Sequence, residues 1–309
     1  MEKYDVIIIG AGPAGLTAGL YSGRARLKTL ILESLAPGGT LLKTEKIEDY
    51  PGFSEITGVE LAKRMEDQAL MFGAEIRSEP VVEIAWKEGL KDVKTEENEY
   101  QAGAVIIAAG GEPKKLGVPG EKELAGRGVS YCALCDGAFF KGQEIAVAGG
   151  GNSAVEEAVF LTKYARKVAI IHRRDTFRAQ KVIQERALRD PKIEVIWNTV
   201  VEEVHGKSKV EALSLKNLQS GERRRLDVTG LFIFIGFVPN QVKGLHLEHD
   251  ERGFIVTNEK METVCPGIFA AGDIRSQVVR QVTNAAGDGT IAAVMAEKYL
   301  EEHNLRVKP

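Results

Sequence analysis

The chain has 309 residues, 44% of them hydrophobic and 28% charged, with a formal net charge of −3. That length exceeds what one hydrophobic core usually serves, so two domains are expected, and the slight acidity gives no reason to expect nucleic acid or another polyanion as partner. The longest apolar runs, VIIIGAG and LFIFIGF, are strand-length and far short of the roughly 20 residues that cross a bilayer, and MEKYDVIIIG carries no secretory-signal pattern, which points to a reducing, cytoplasmic location.

The first element is a strand, Asp5 to Ile9, followed by GAGPAG, a helical stretch LTAGLYSGRAR and a second strand LKTLILE. This is the βαβ signature of dinucleotide binding with its context intact. Gly10 permits the tight turn, Gly12 lets the backbone approach a pyrophosphate, and Gly15 allows the helix to pack closely on the strand, so that the helix N-terminus faces the anion. Glu33 closes the second strand 23 residues after Gly10, where a carboxylate accepts hydrogen bonds from a ribose.

A strand AVIIAAG (104–110) then leads into GEPKKLGVPGE, whose prolines and glycines mark a crossing between domains. Next comes YCALCDGAFF, with Cys132 and Cys135 three positions apart and Asp136 behind them. A Cys-x-x-Cys pair is half of many zinc sites, a possible staple, or a working dithiol. Three cysteines are too few for a disulfide framework, and a reducing compartment disfavours a persistent bridge. Zinc needs about two further ligands, and Cys265 in TVCPGIFAAGD opens an expected strand, where a buried small hydrophobe is the default.

The nucleotide pattern then returns in EIAVAGGGNSAVEEAVFLTKYARKVAIIHRRDTFRAQ: strand, Gly149-x-Gly151-x-x-Ala154, amphipathic helix, strand. The position equivalent to Glu33 is His172, followed by Arg173 and Arg174, with Arg178 four residues beyond Arg174. A carboxylate would repel a 2′-phosphate whereas guanidinium groups bind one bidentately, so the second site is expected to take NADPH rather than NADH. LFIFIGF (231–237) and FVPNQVKG make the return crossing. The expected fold class is α/β: two Rossmann-like three-layer nucleotide-binding domains, residues 115–244 inserted into a domain built from 1–114 and 245–309. In that last part GIFAAGDI reads as a buried strand ending at Asp273, suited to a cofactor hydroxyl, and TNAAGDGTIAAVMAEKYLEE as a small-residue helix.

In combination these segments resemble the low-molecular-weight, bacterial-type thioredoxin reductases, a flavoprotein branch of the pyridine nucleotide-disulfide oxidoreductases. GAGPAGLTAGLYSGRA, YPGF, KLGVPGE, YCALCDGAFF, GGGNSAVEEAVFLT, HRRDTFRA, IGFVPN, GIFAAGDIRS and RQVTNAAGDGTIAA stand in that family's order over essentially the whole chain. The resemblance implies a homodimer that reduces thioredoxin or a thioredoxin-like protein. FAD would be held by Gly10, Gly12, Gly15, Glu33, Asp273, Arg280 and Gln281, and NADPH by Gly149, Gly151, Asn152, Ser153, Arg173, Arg174 and Arg178, with His172 beside them. Cys132 and Cys135 fall on the redox pair and Asp136 on its acid, whose bland alternative is a helix cap. A Cys-x4-Cys pair early in the flavin domain, which would mark the larger glutathione-reductase type, is not found. Thr40 after Gly38-Gly39, Asp49 after Glu48, and Ala109 depart from the family's usual Gln, Asn and Thr, all on the flavin side.

The implied chemistry needs the inserted domain to turn between two states, with the crossings as hinges. Rival readings keep the scaffold but take electrons from a flavodoxin-like or ferredoxin-like donor, pass them to oxygen as a dithiol oxidase, or make the chain a flavin-bound sensor. HRRDTFRA argues against the first two, since neither needs a 2′-phosphate clamp.

Overall fold

The computed structural model describes residues 1–44, 47–87 and 89–307; the side chains of Lys43, Lys87, Leu134 and Cys135 are also outside the description. Two compact units are present, residues 1–112 with 238–309, and residues 113–237.

In the first unit β1 (Glu2–Ile9) is three residues longer than the expected strand, and its last six residues are buried. A helix, α1 (Pro13–Arg24), follows the glycine turn and leads to β2 (Thr29–Glu33). Then come α2 (Gly58–Met71), capped by the Thr57 hydroxyl accepting from the Glu60 N–H at 3.2 Å, and β3 (Glu75–Ser78). β4 (Val81–Lys87), β5 (Leu90–Thr95) and β6 (Glu99–Ile107) form an antiparallel meander. β1 lies parallel between β2 and β6, with Ile8 opposite both Ile31 and Ile106. Because the strand is covered on both faces it reads as an unbroken apolar run. Val6 and Ile8 join the core packed with Leu16, Ile31 and Met65, while Ile7 and Ile9 join a second core with Leu30, Ile84 and Val105. β7 (Gly111–Pro113) ends this part.

The second unit repeats the plan. β8 (Val129–Ser130) and the short α3 (Ala133–Asp136) precede β9 (Glu144–Gly149), α4 (Asn152–Leu161), β10 (Lys167–Ile171), α5 (Lys181–Arg189) and β11 (Ile193–Ile196). β12 (Thr199–His205), β13 (Ala212–Asn217) and β14 (Arg223–Asp227) form a separate antiparallel sheet before β15 (Gly230–Phe234) returns to the parallel one, whose order is β11-β10-β9-β15-β8. β9 again feeds two cores, Val147 on one side and Ala146 and Ala148 on the other.

The chain re-enters the first unit through β16 (Phe237–Pro239), which pairs with β7. The change-over falls at 237/238 rather than at 244/245, because Val242 and Leu245 pack on the first unit's core and the Lys243 carbonyl accepts the Ile84 N–H at 3.0 Å. β17 (Ile268–Ala270) adds to β6 in parallel, and α6 (Val282–Glu302) packs against α1 closely enough that a Cβ at Gly289 would run into the Ala14 carbonyl. No helix among the described residues is long and apolar enough to cross a membrane.

Candidate functional site: two nucleotide cradles and a redox turn

In the first unit the chain leaves β1 at Gly10 with φ +99°, a left-handed conformation that costs a glycine nothing. A Cβ there would stand 2.5 Å from the Ala108 carbonyl oxygen, and one at Gly15 would run into the Gly10 carbonyl, so both are packing positions. Gly12 is different: it caps the start of α1, and a Cβ on it would meet nothing within 4 Å. Its open side lies at a helix N-terminus, where unpaired N–H groups favour an anion. The loop after β2 closes the other side, the Gly38 N–H donating to the Ala11 carbonyl at 2.7 Å. Glu33 accepts the Ala11 N–H on Oε2 at 2.7 Å and the Ser34 and Leu35 N–H groups on Oε1 at 2.8 and 3.1 Å. It fixes the turn while Oε2 keeps acceptor capacity for a ribose hydroxyl.

Asp273 sits in a tight turn after β17, in the same unit. Burial raises its carboxyl pKa, the Arg280 charge opposes the rise, and Asp288 adds to it. Its carboxylate has no hydrogen-bond donor among the described residues, and such a group gains most from a ligand hydroxyl. Arg280 stacks 3.9 Å over the Phe254 ring, with Nε at 3.4 Å from the Asp273 carbonyl. Gln281 is the N-cap residue of α6, and its side chain caps nothing. Sequence reasoning missed the support beneath: Arg275 reaches both oxygens of buried Asp288 at 3.0 Å, and Asp288 Oδ2 accepts the Gly272 N–H at 3.0 Å. A charged residue facing into a small-residue helix was the available signal. Ala109, one of the departures, offers its carbonyl to the Asn240 amide at 2.7 Å.

The second unit repeats the cradle. Gly149 has φ +149°, and a Cβ there would meet the Ala154 Cβ at 2.6 Å, whereas one at Gly151 would meet nothing within 4 Å. His172 is 4% exposed; its ring lies under Gly150 and its Nε2 is 3.0 Å from the Thr176 carbonyl. Burial lowers its pKa, and the Arg178 and Arg174 charges add to that. The loop carrying the arginines is tied to the glycine turn by the Arg178 N–H donating to the Gly150 carbonyl at 2.7 Å. The Gln180 N–H donates to Asn152 Oδ1 at 2.9 Å. Ser153, Arg173, Arg174 and Arg178 are exposed, and the three guanidinium groups have no ion pair or side-chain hydrogen bond among the described residues. The loop that the Arg178 N–H ties to the glycine turn thus carries three exposed guanidinium groups.

The cysteine turn belongs to the same unit. Cys132 is in a disulfide; the side chain of Cys135 lies outside the described residues. The Ser130 hydroxyl accepts the Cys132 N–H and donates to the Cys132 carbonyl, both at 3.1 Å, and the Asp136 N–H donates to that carbonyl at 3.2 Å. The Asp136 side chain caps nothing; it lines a cavity of ≈ 270 Å³ with Arg127, Phe139 and Lys209. Cys265 is free and half-buried, in the bend before β17 rather than in the strand, and burial raises its thiol pKa.

The sequence pattern of the pyridine nucleotide-disulphide oxidoreductase family matches residues 4–289. Thioredoxin reductase of Bacillus subtilis (strain 168) is 52% identical over 302 residues, 97% of this chain and 95% of that protein. The thioredoxin reductase of Peptoclostridium litorale is 50% identical over 308 residues, 97% and 98% of the two chains. Among solved structures, Lactococcus lactis thioredoxin reductase superposes with a TM-score of 0.95 at 46% identity, over 97% of this chain and 99% of that one.

Proposed function

We propose that this chain, which belongs to the pyridine nucleotide-disulphide oxidoreductase family, is an NADPH-dependent, FAD-carrying thioredoxin-disulfide reductase. The observation that carries the reading is the disulfide at Cys132 on the unit that also holds the arginine-bordered cradle. Gly10, Gly12, Gly15, Glu33, Asp273, Arg280 and Gln281 would hold FAD. Gly149, Gly151, Asn152, Ser153, Arg173, Arg174 and Arg178 would hold NADPH, with neutral His172 propping the turn from below. When bound, the two cofactors supply a two-electron carrier and a hydride donor.

The protein's own part is thiol–disulfide exchange. Opening the Cys132–Cys135 bond takes up two electrons and two protons. One thiolate then attacks a sulfur of the partner's disulfide, that bond breaks, and a mixed disulfide forms. The second thiolate attacks the mixed disulfide, restoring the Cys132–Cys135 bond and releasing the partner as a dithiol. Asp136, next to Cys135 in sequence and capping nothing, would hand a proton to the departing thiolate. The same reading has the protein work as a homodimer in the cytoplasm, an assembly that sedimentation of the flavin-loaded protein tests.

The deciding assay uses purified protein: it should be yellow, bleach anaerobically with NADPH but poorly with NADH, and reduce thioredoxin. Bleaching by another donor alone, or no transfer to thioredoxin, overturns the reading.

A further inference from the structure

One buried carboxylate ties the outgoing crossing, GEPKKLGVPGE, to the residue before Cys132. Glu121 is 4% exposed, and takes the Leu116 N–H on Oε1 at 2.9 Å and the Gly117 N–H on Oε2 at 2.6 Å. Oε1 also accepts the Tyr131 hydroxyl at 2.7 Å, across ten residues of sequence. Burial, then the bond to Glu121, pushes the phenol pKa up, so the hydroxyl stays a donor. Lys115 stands over the same ring, 5.8 Å from its centroid. A carboxylate out of water needs its donors, and the Tyr131 hydroxyl supplies one of three. The Ser130 and Asp136 bonds to Cys132 are local to the turn, whereas the Tyr131 hydroxyl anchors it to a different stretch of chain.

We propose that Glu121 and Tyr131 are positioning residues for the disulfide chemistry: the Tyr131 hydroxyl, docked on the Glu121 carboxylate, keeps the backbone at Cys132 in disulfide-forming geometry while the bond is open. The inference rests on Cys132 and Cys135 being the redox pair. With the bond closed, the covalent link itself limits the turn. With the bond open, closure depends on how often the two thiols meet, and this effective concentration falls when the turn is loosened. Removing the strap therefore shifts the balance toward the open dithiol.

The test is Tyr131→Phe, which keeps the ring and leaves both backbone N–H bonds to Glu121 in place. Wild-type and variant holoenzyme are equilibrated with glutathione buffers, in which two glutathione thiols and the protein disulfide exchange with glutathione disulfide and the protein dithiol. Samples are then quenched by alkylation and counted by mass. The closure constant should fall about tenfold in the variant, a potential about 30 mV more oxidising. A constant within twofold of wild type overturns the proposal, even if the melting temperature drops, since lost stability alone does not move this ratio. Glu121→Gln, which turns an NH₂ toward one of the two backbone donors, should shift it the same way. Glutathione stands in for the partner, so a wild-type protein that fails to reduce thioredoxin would sink the functional reading while the Tyr131→Phe ratio still decides the strap.

Discussion

The same substitution at two glycines of one motif should have opposite consequences. Gly12 has φ −74° and ψ −176°, a backbone open to any L-residue, and a Cβ there meets nothing within 4 Å. Gly12→Ala should therefore leave the cofactor-free protein as stable as before: the roughly 0.4–1 kcal/mol gained by stiffening the unfolded chain is offset by the roughly 0.5–1 kcal/mol by which glycine is better than alanine at a helix N-cap. The added methyl instead occupies the space a pyrophosphate needs. At the roughly 1–3 kcal/mol of overpacking, FAD should bind about tenfold to hundredfold more weakly. At Gly15 the methyl would strike the Gly10 carbonyl and come within 3.4 Å of Ile8 Cγ2, so α1 must lift from β1. Gly15→Ala should cost about 1–3 kcal/mol or more before any ligand is added, at roughly 2–4 °C of melting temperature per kcal/mol. Thermal scans of the flavin-free protein and fluorescence titration with FAD separate the two effects. Gly12→Ala binding FAD within twofold of wild type, or Gly15→Ala melting with wild type, would refute the division into an open cradle and a packed turn.

Arg174→Ala combined with Arg178→Ala should raise the KM for NADPH about tenfold or more, at roughly 1.5–3 kcal/mol for a bond to a charged group, while the KM for NADH barely moves; equal losses with both nucleotides would make the arginines a general basic patch. Asp288→Asn leaves Arg275, whose side chain is 13% exposed, without its charge partner, and should lower stability by about 3–5 kcal/mol in urea unfolding. Buried Lys91 donates to the Gly103 carbonyl at 2.7 Å and lies near the Tyr299 ring, and burial lowers its pKa from 10.5 to about 8. Its unfolded state binds more protons between those values, so stability should rise with pH across that window. Denaturant titrations at pH 7.5 and 10 should show Lys91→Met losing that part of the rise; an unchanged slope would place the effect elsewhere.

Local spacing carried most of the nucleotide reading. Gly10, Gly12 and Gly15 stand as turn, open cradle and helix contact, and Gly149, Gly151 and Ala154 repeat the arrangement. This information is legible because tight turns and helix N-termini are made by residues a few positions apart. The antiparallel strands β4, β5, β12, β13 and β14 were not read from the sequence, since their pairing depends on partners outside each segment and their faces mix charged and apolar residues. Cys265 shows the same limit: its apolar neighbours suggested a strand start, while the chain bends there and leaves the thiol half-buried.

Determined by sequence alone were the two βαβ units, the exchange of Glu33 for a basic loop in the second, and the placing of the cysteine pair between them. Only the tertiary structure decided which polar groups are satisfied. Asp288 under the Gly272 turn, His172 under Gly150 and Glu121 behind Tyr131 are held by partners 4 to 16 residues away in sequence, and each is buried. A buried polar group must find its donors wherever folding brings them, and a linear sequence does not record that meeting.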